Sequence, residues 1–338
     1  MTEPSLTFAP RLSVVVPTRN RSAQILAFVE RLRAQSLPAG DFEVVVVDDG
    51  STPPVDAARL RAAHAGPLRV VRRDAPPSAH DGRRAGARAA RAPRVLFLDD
   101  DVELHPDLLR AHAALGEQFA LGPIFYHREA RTTAYHRFRD ILYSADAQAI
   151  IDRPDPLPLG HMYICNSSGP TARYLDVLDR VAALVSPAPT PGDGCDEALM
   201  DIEFQKEHGF ATVLAEACAW HRDTKTLRQA CDERKRHGEA VCDLVIRHPH
   251  LRQWFDLGEV LAGERGKTKA LRSRFVWGAP SLFRIAETCL SSFADHGPVW
   301  AVPRWLCRAA MGMAYWEGVR SVEPSLSRLR ASLGVGAP

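Results

Sequence analysis

The sequence predicts an α/β protein with a mostly parallel sheet flanked by helices. Three observations carry that expectation: short apolar runs rich in valine, amphipathic stretches of helical spacing between them, and polar clusters directly after the runs. Leu12-Ser13-Val14-Val15-Val16 is the first run and stops at Pro17, after which Ser22 to Gln35 places Ile25, Leu26, Val29 and Leu32 on one helical face. Phe42 to Val47 is too short and too valine-rich for a helix, so it reads as a second strand ending at Asp48-Asp49-Gly50-Ser51. The alternation continues with a helix over Ala57 to His64, a strand over Leu68 to Arg72, a helix within Gly82 to Arg91 and a strand over Arg94 to Leu98. Strands apolar throughout belong to a sheet covered on both faces. A helix is expected around Tyr135 to Ile150, another from about Glu197 to His208, and a strand over Ala211 to Glu216. Pro/Gly-rich stretches fall at 153–158 and 186–194. Beyond residue 225 the chain reads as helical and basic, and four of its six tryptophans (277, 300, 305, 316) lie beyond residue 270.

Composition excludes several classes. With 338 residues, 46% hydrophobic and 25% charged, the chain is globular rather than disordered or collagen-like. Its formal net charge of +2 creates no overall field toward nucleic acid, which is not expected as a partner. Seven scattered cysteines without a C-x-x-C pair indicate neither a zinc knuckle nor a disulfide framework. The N-terminus lacks a basic stretch followed by an apolar one, and no long apolar run occurs. The expected location is therefore cytoplasmic, or peripheral at the inner face of the membrane.

In open α/β sheets, ligands bind beyond the carboxyl ends of the strands. The unusual polar residues fall there: Thr18-Arg19-Asn20, Asp48-Asp49 and Asp99-Asp100-Asp101. Three consecutive carboxylates raise one another's pKa unless a cation neutralises them, and hard oxygen donors suit Mg2+ or Mn2+. The alternative is a solvated acidic turn capping a helix over Val102 to Leu109.

In this order Val14-Val15-Val16-Pro17-Thr18-Arg19-Asn20, Val46-Val47-Asp48-Asp49-Gly50-Ser51 and Phe97-Leu98-Asp99-Asp100-Asp101 resemble the family 2 glycosyltransferases of the GT-A, Rossmann-like fold. Arg83-Arg84-Ala85-Gly86 stands where that family has Arg-Asn-x-Gly, with Arg84 for the usual Asn. Met200-Asp201-Ile202-Glu203-Phe204, then Gly209-Phe210, resembles Glu-Asp-x-Glu-Leu…Gly-Tyr, with Met200 for Glu. The resemblance covers roughly residues 10 to 222. It implies a GT-A domain over 10–224 and leaves 225–335 as a helical C-terminal extension.

The resemblance further implies inverting transfer of a sugar from a nucleoside diphosphate sugar to a hydroxyl-type acceptor, assisted by Mg2+ or Mn2+. Pro17, Thr18, Arg19, Arg83 and Asp100 would line the donor pocket, Asp48 would meet the base, and Asp99 would reach the ribose or the metal's waters. Asp101 and His221 would ligate the metal, Asn166 would contact sugar hydroxyls, and Asp201 would be the catalytic base. Plainer readings stand beside these. Asp49 starts the Gly50-Ser51 turn; Asp201 is an acid favoured by a helix N-terminus; Glu203 is structural; Asn166-Ser167-Ser168-Gly169 is an ordinary turn. The acceptor is open among a lipid-linked glycan, a natural product and a peptide. The tryptophan-rich extension would pack on the catalytic domain, form a homodimer contact or lie on a membrane. Two other functions remain: an inactive homologue serving as a binding or scaffolding module, and a nucleotidyltransferase.

Overall fold

The computed structural model describes residues 10–152, 163–185, 195–208, 212–255, 280–296 and 304–322. The chain divides into two units: the first takes residues up to His127, Tyr143–Ala183 and Glu197–Arg222, and the second Arg128–Leu142, Leu184–Asp196 and everything from Asp223.

In the first unit, β1 (Leu12–Thr18), β2 (Phe42–Asp48), β3 (Leu68–Arg72) and β4 (Arg94–Phe97) are parallel, as their apolar runs predict. Between them lie α1 (Ser22–Arg31), α2 (Ala57–Ala63) and α3 (Ala79–Ala89). Every residue of β2 is buried, so its four consecutive valines are covered on both faces. β1 runs one turn-signal further than expected, through Pro17, which pairs with Val47. Val15 O accepts from Leu98 N on the β4 side, where the β1–β4 ladder ends, and Pro17 points to that same side. Its missing N–H therefore costs no ladder bond.

The chain continues through β5 (Val102–Leu104), α4 (Leu108–Ala113), β6 (Ala120–Leu121), β7 (Ile124–Tyr126), α5 (Ala134–Asp152), β8 (Ser167–Pro170), α6 (Thr171–Val185), α7 (Asp196–His208), β9 (Thr212–Val213) and β10 (Ala219–His221). The main sheet has the order β3-β2-β1-β4-β8-β6-β9, and a second sheet has β5-β10-β7. Four sequence expectations change. Val102 to Leu109 is a short strand and the start of a helix rather than one helix, and the strand expected over Ala211 to Glu216 holds only Thr212 and Val213 among described residues. Ser167-Ser168-Gly169-Pro170 is a fully buried strand antiparallel to β4, not a turn. The helix expected within Gly82 to Arg91 starts earlier, where Ser78 caps it by accepting from Asp81 N at 3.2 Å.

The glycine in Arg83-Arg84-Ala85-Gly86 has a packing reason: a Cβ at Gly86 would lie 2.3 Å from Val15 Cγ1. α3 thus rests directly on β1 and β2. Arg84 turns outward to pair with Asp179 on α6 beside Arg88, so the departure from Asn serves a helix–helix link.

The second unit is helical: α8 (Leu227–Arg247), α9 (Pro280–His296) and α10 (Arg304–Ser321). Thr226 and Gln229 form a capping box at the start of α8, and Asp295 accepts from Leu227 N at 2.6 Å. Trp316 is buried, whereas Trp305 and Phe293 are 67% and 65% exposed; Trp277 and Trp300 lie outside the described residues. Among the described residues no helix is long and apolar enough to cross a membrane. α8 and α10 meet backbone to backbone, because a Cβ at Gly318 would lie 1.9 Å from Lys235 O and one at Gly238 2.1 Å from Tyr315 O. Gly318→Ala gains about 1 kcal/mol of helix propensity. It must also separate two backbones, and overpacking costs typically 1–3 kcal/mol or more even where side chains can yield. The expected result is net destabilisation, read as a lower urea midpoint; an unchanged or higher midpoint would mean the two helices do not meet there.

Candidate active site

β1, β2 and β4 are parallel neighbours, so the segments after their carboxyl ends lie side by side. Asp99-Asp100-Asp101 fills the short connection between β4 and β5. β10 pairs antiparallel with β5, opposing His221 to Val102, while Arg222 N donates to Asp101 O at 2.8 Å. This register brings the imidazole beside the acids: His221 Nε2 is 2.9 Å from Asp101 Oδ1. Asp99, Asp101 and His221 each offer a ligand atom, and these atoms lie within 4.8 Å of one another. Two carboxylates and an imidazole, all partly exposed, form a donor set that could hold a divalent metal ion.

The three aspartates have three different settings. Asp99 accepts from Arg83 Nη2 at 2.9 Å. Asp100 turns inward, where Thr18 Oγ1 donates to it at 2.6 Å and Arg21 Nη1 at 2.8 Å. Asp101 accepts from the same Arg21 nitrogen at 2.9 Å. Burial pushes Asp100 up. Burial acts the same way on Asp101, but His221 and Arg21 outweigh it and bring its pKa down to about 2. Burial also opposes the charge on Arg83, yet Asp99 and Glu197 together leave its pKa raised. Like-charge repulsion is therefore relieved partly by two arginines. Arg21, which sequence reasoning missed, stands where a guanidinium three residues beyond one strand can face the acids beyond its parallel neighbour. Tyr143, whose Oη is 2.7 Å from His221 Nδ1, was also missed, and nothing local in α5 marks it.

At the end of β2 the turn role expected of Asp49 falls to its neighbour. Asp48, 1% exposed, accepts from Ser51 N at 2.8 Å, Val55 N at 3.1 Å and Arg72 Nη1 at 2.9 Å. It, rather than Asp49, closes the turn. Burial raises its pKa, but Ser51, Val55 and Arg72 prevail and hold it low. Asp49 pairs with Arg73 and accepts from Ser78 N at 2.7 Å. The β1 and β2 loops are tied together through Asn20, which adopts φ 54°: its N donates to Ser51 Oγ at 2.9 Å, and Thr52 N donates to its Oδ1 at 2.8 Å. Pro17 is partly exposed and Arg19 exposed at this rim, whereas Thr18 is buried with its hydroxyl engaged by Asp100.

Asn166, expected at the sugar, has no accessible surface. Its Nδ2 donates to Ala217 O at 2.8 Å and its Oδ1 faces His112 Nε2 at 3.1 Å. With Oδ1 accepting, His112 Nε2 carries the proton, and Nδ1 accepts from Ser168 Oγ at 2.7 Å. Arg94 in turn donates to Ser168 Oγ at 2.7 Å. This buried network stands in place of the expected turn. Burial, with the charge of Arg94, pulls the pKa of His112 down to about 3 against the hydrogen bond of Asn166. The folded value lies below the ordinary 6.5, so the unfolded chain binds more protons between the two values. The stability His112 contributes is complete above about pH 6.5 and is lost on acidification, at about 1.4 kcal/mol per pH unit. Urea unfolding at pH 7.5 and 5.5 should show this loss in the native chain and a smaller one in His112→Gln; equal losses would assign it elsewhere.

Asp201 lies on α7 and is 3% exposed, and Met200 beside it is fully buried. Glu203 accepts from Arg180 Nε at 3.1 Å and Lys206 Nζ at 2.7 Å, a tie between α6 and α7. Gly209-Phe210 lie outside the described residues.

Residues 13–169 match the family model described as Glycosyl transferase family 2. An uncharacterized glycosyltransferase of Haemophilus influenzae is 37% identical over 90 residues, 27% of this chain and 29% of that protein. A PGL/p-HBAD biosynthesis glycosyltransferase of Mycobacterium bovis is 34% identical over 112 residues, 32% of this chain and 43% of that protein. The chain thus spans less than half the length of either curated relative. A mannosyltransferase of Pyrobaculum calidifontis, solved with GDP-Man and Mn2+, is 17% identical with a TM-score of 0.48, over 96% of this chain and 86% of that one. The family match contains Asp99 and Asp101 and ends before Asp201 and His221.

Proposed function

We propose, from the match of residues 13–169 to the glycosyl transferase family 2 model, that the chain transfers a sugar, with inversion, from a nucleoside diphosphate sugar to a hydroxyl-bearing acceptor. The observation that carries this reading is the approach of Asp99, Asp101 and His221 within 4.8 Å beyond the end of β4. Those three residues would hold Mn2+ or Mg2+, which when bound supplies positive charge for the departing diphosphate. Arg83 fixes Asp99, and Thr18 with Arg21 fixes Asp100, so the acidic loop is preorganised. Pro17 and Arg19 give the donor an accessible rim. Asp48 supports the base pocket by holding its loop, and Asn166 supports the strand behind it. Asp201 would take the proton from the acceptor hydroxyl.

The test is release of nucleoside diphosphate from UDP-, GDP- and dTDP-sugars by the purified chain with Mn2+. Saturable, EDTA-sensitive release from one of them is expected. No release from any donor with any acceptor class would instead favour a binding module.

A further inference from the structure

Resting on that reading of the metal centre, we infer that Tyr143 is a positioning residue that sets which nitrogen of His221 faces the ion. A neutral imidazole carries one proton on one of two nitrogens. For Nε2 to ligate, its lone pair must be free and the proton must sit on Nδ1, where it needs an acceptor. Tyr143 Oη is 2.7 Å from Nδ1. Nε2 is 2.9 Å from Asp101 Oδ1, so with the proton there instead the ring donates to Asp101 and Tyr143 donates to Nδ1. A hydroxyl both donates and accepts, so one side chain satisfies both tautomers without rotating the ring. A backbone carbonyl would accept only.

The tyrosine is itself held in place. It projects from α5, packs against the main core of the first unit, and its ring lies 5.8 Å from that of Tyr126 and 5.7 Å from that of His221. The parallel pairing of β10 with β7 opposes His221 to Tyr126, so the same register that aims the imidazole at Asp101 also brings its other edge to Tyr143. Outer partners of metal-binding histidines typically change metal affinity by 10–100-fold.

Mn2+ alone, titrated by electron paramagnetic resonance into the native chain, Tyr143→Phe, His221→Ala and the double variant, tests the inference. Tyr143→Phe keeps the ring packing, so an unchanged melting temperature is expected alongside about tenfold or greater weakening of Mn2+ binding. On the His221→Ala background, which retains Asp99 and Asp101, the same substitution should have no further effect. Unaltered affinity in Tyr143→Phe, or equal weakening on both backgrounds, overturns the inference while leaving the metal centre standing. Failure of the native chain to bind Mn2+ overturns both.

Discussion

Asp101→Ala is expected to lower sugar transfer by about three orders of magnitude or more and to weaken metal-dependent nucleotide binding with it. Three factors of ten correspond to about 4 kcal/mol, within the several kcal/mol expected of a metal ion stabilising transition-state charge. The magnitude follows from the setting of the carboxylate. Its pKa of about 2 keeps it ionised at neutral pH, and both oxygens already face cationic or polar donors, His221 at one and Arg21 at the other. Alanine would remove one of the three clustered candidate ligands and leave two positively disposed groups around the gap, so the remaining pair would hold a cation poorly. Asp101→Asn separates charge from shape and should lose nearly as much. Nucleoside diphosphate release across a Mn2+ titration, with the melting temperature as a control for folding, measures the effect. Activity within tenfold of the native chain at saturating Mn2+ would place the metal elsewhere.

The residues explain why part of this site was legible in the sequence and part was not. Fully apolar runs announce parallel strands, since only strands covered on both faces have that composition; Phe42–Asp48 behaves accordingly. Clustered acids at a strand end are equally visible because their repulsion requires a remedy. β8 was unreadable because Ser167 and Ser168 are buried as polar residues, satisfied by Tyr174, Arg94 and His112 from elsewhere in the chain. Three-residue strands such as β5, β7 and β10 carry no period to detect. Arg21 and Tyr143 act across 80 and 78 positions of sequence, which local pattern cannot report. The passing of the turn role from Asp49 to Asp48 has a smaller cause: β2 runs one residue further than Val47, so the first aspartate ends the strand and closes the turn.

Asp201→Asn is expected to lower the turnover number by about 10²–10⁴, the usual contribution of a general base, while leaving Mn2+ and nucleotide affinity close to native. The substitution is nearly isosteric, so packing is retained, but an amide cannot take the acceptor's proton. The plainer account, an acid placed by the dipole of a helix N-terminus, is weakened by the position of α7. That helix begins at Asp196, so Asp201 sits in its second turn, where the dipole effect has largely decayed. It lies between Met200 and Ile202, both buried, and is itself 3% exposed. The two accounts separate cleanly. A positioning or packing role predicts a lower melting temperature and a modest change in rate, whereas the base predicts an unchanged melting temperature and a collapse confined to turnover. Native turnover in the Asp201→Asn chain would transfer the proton-accepting role to another group.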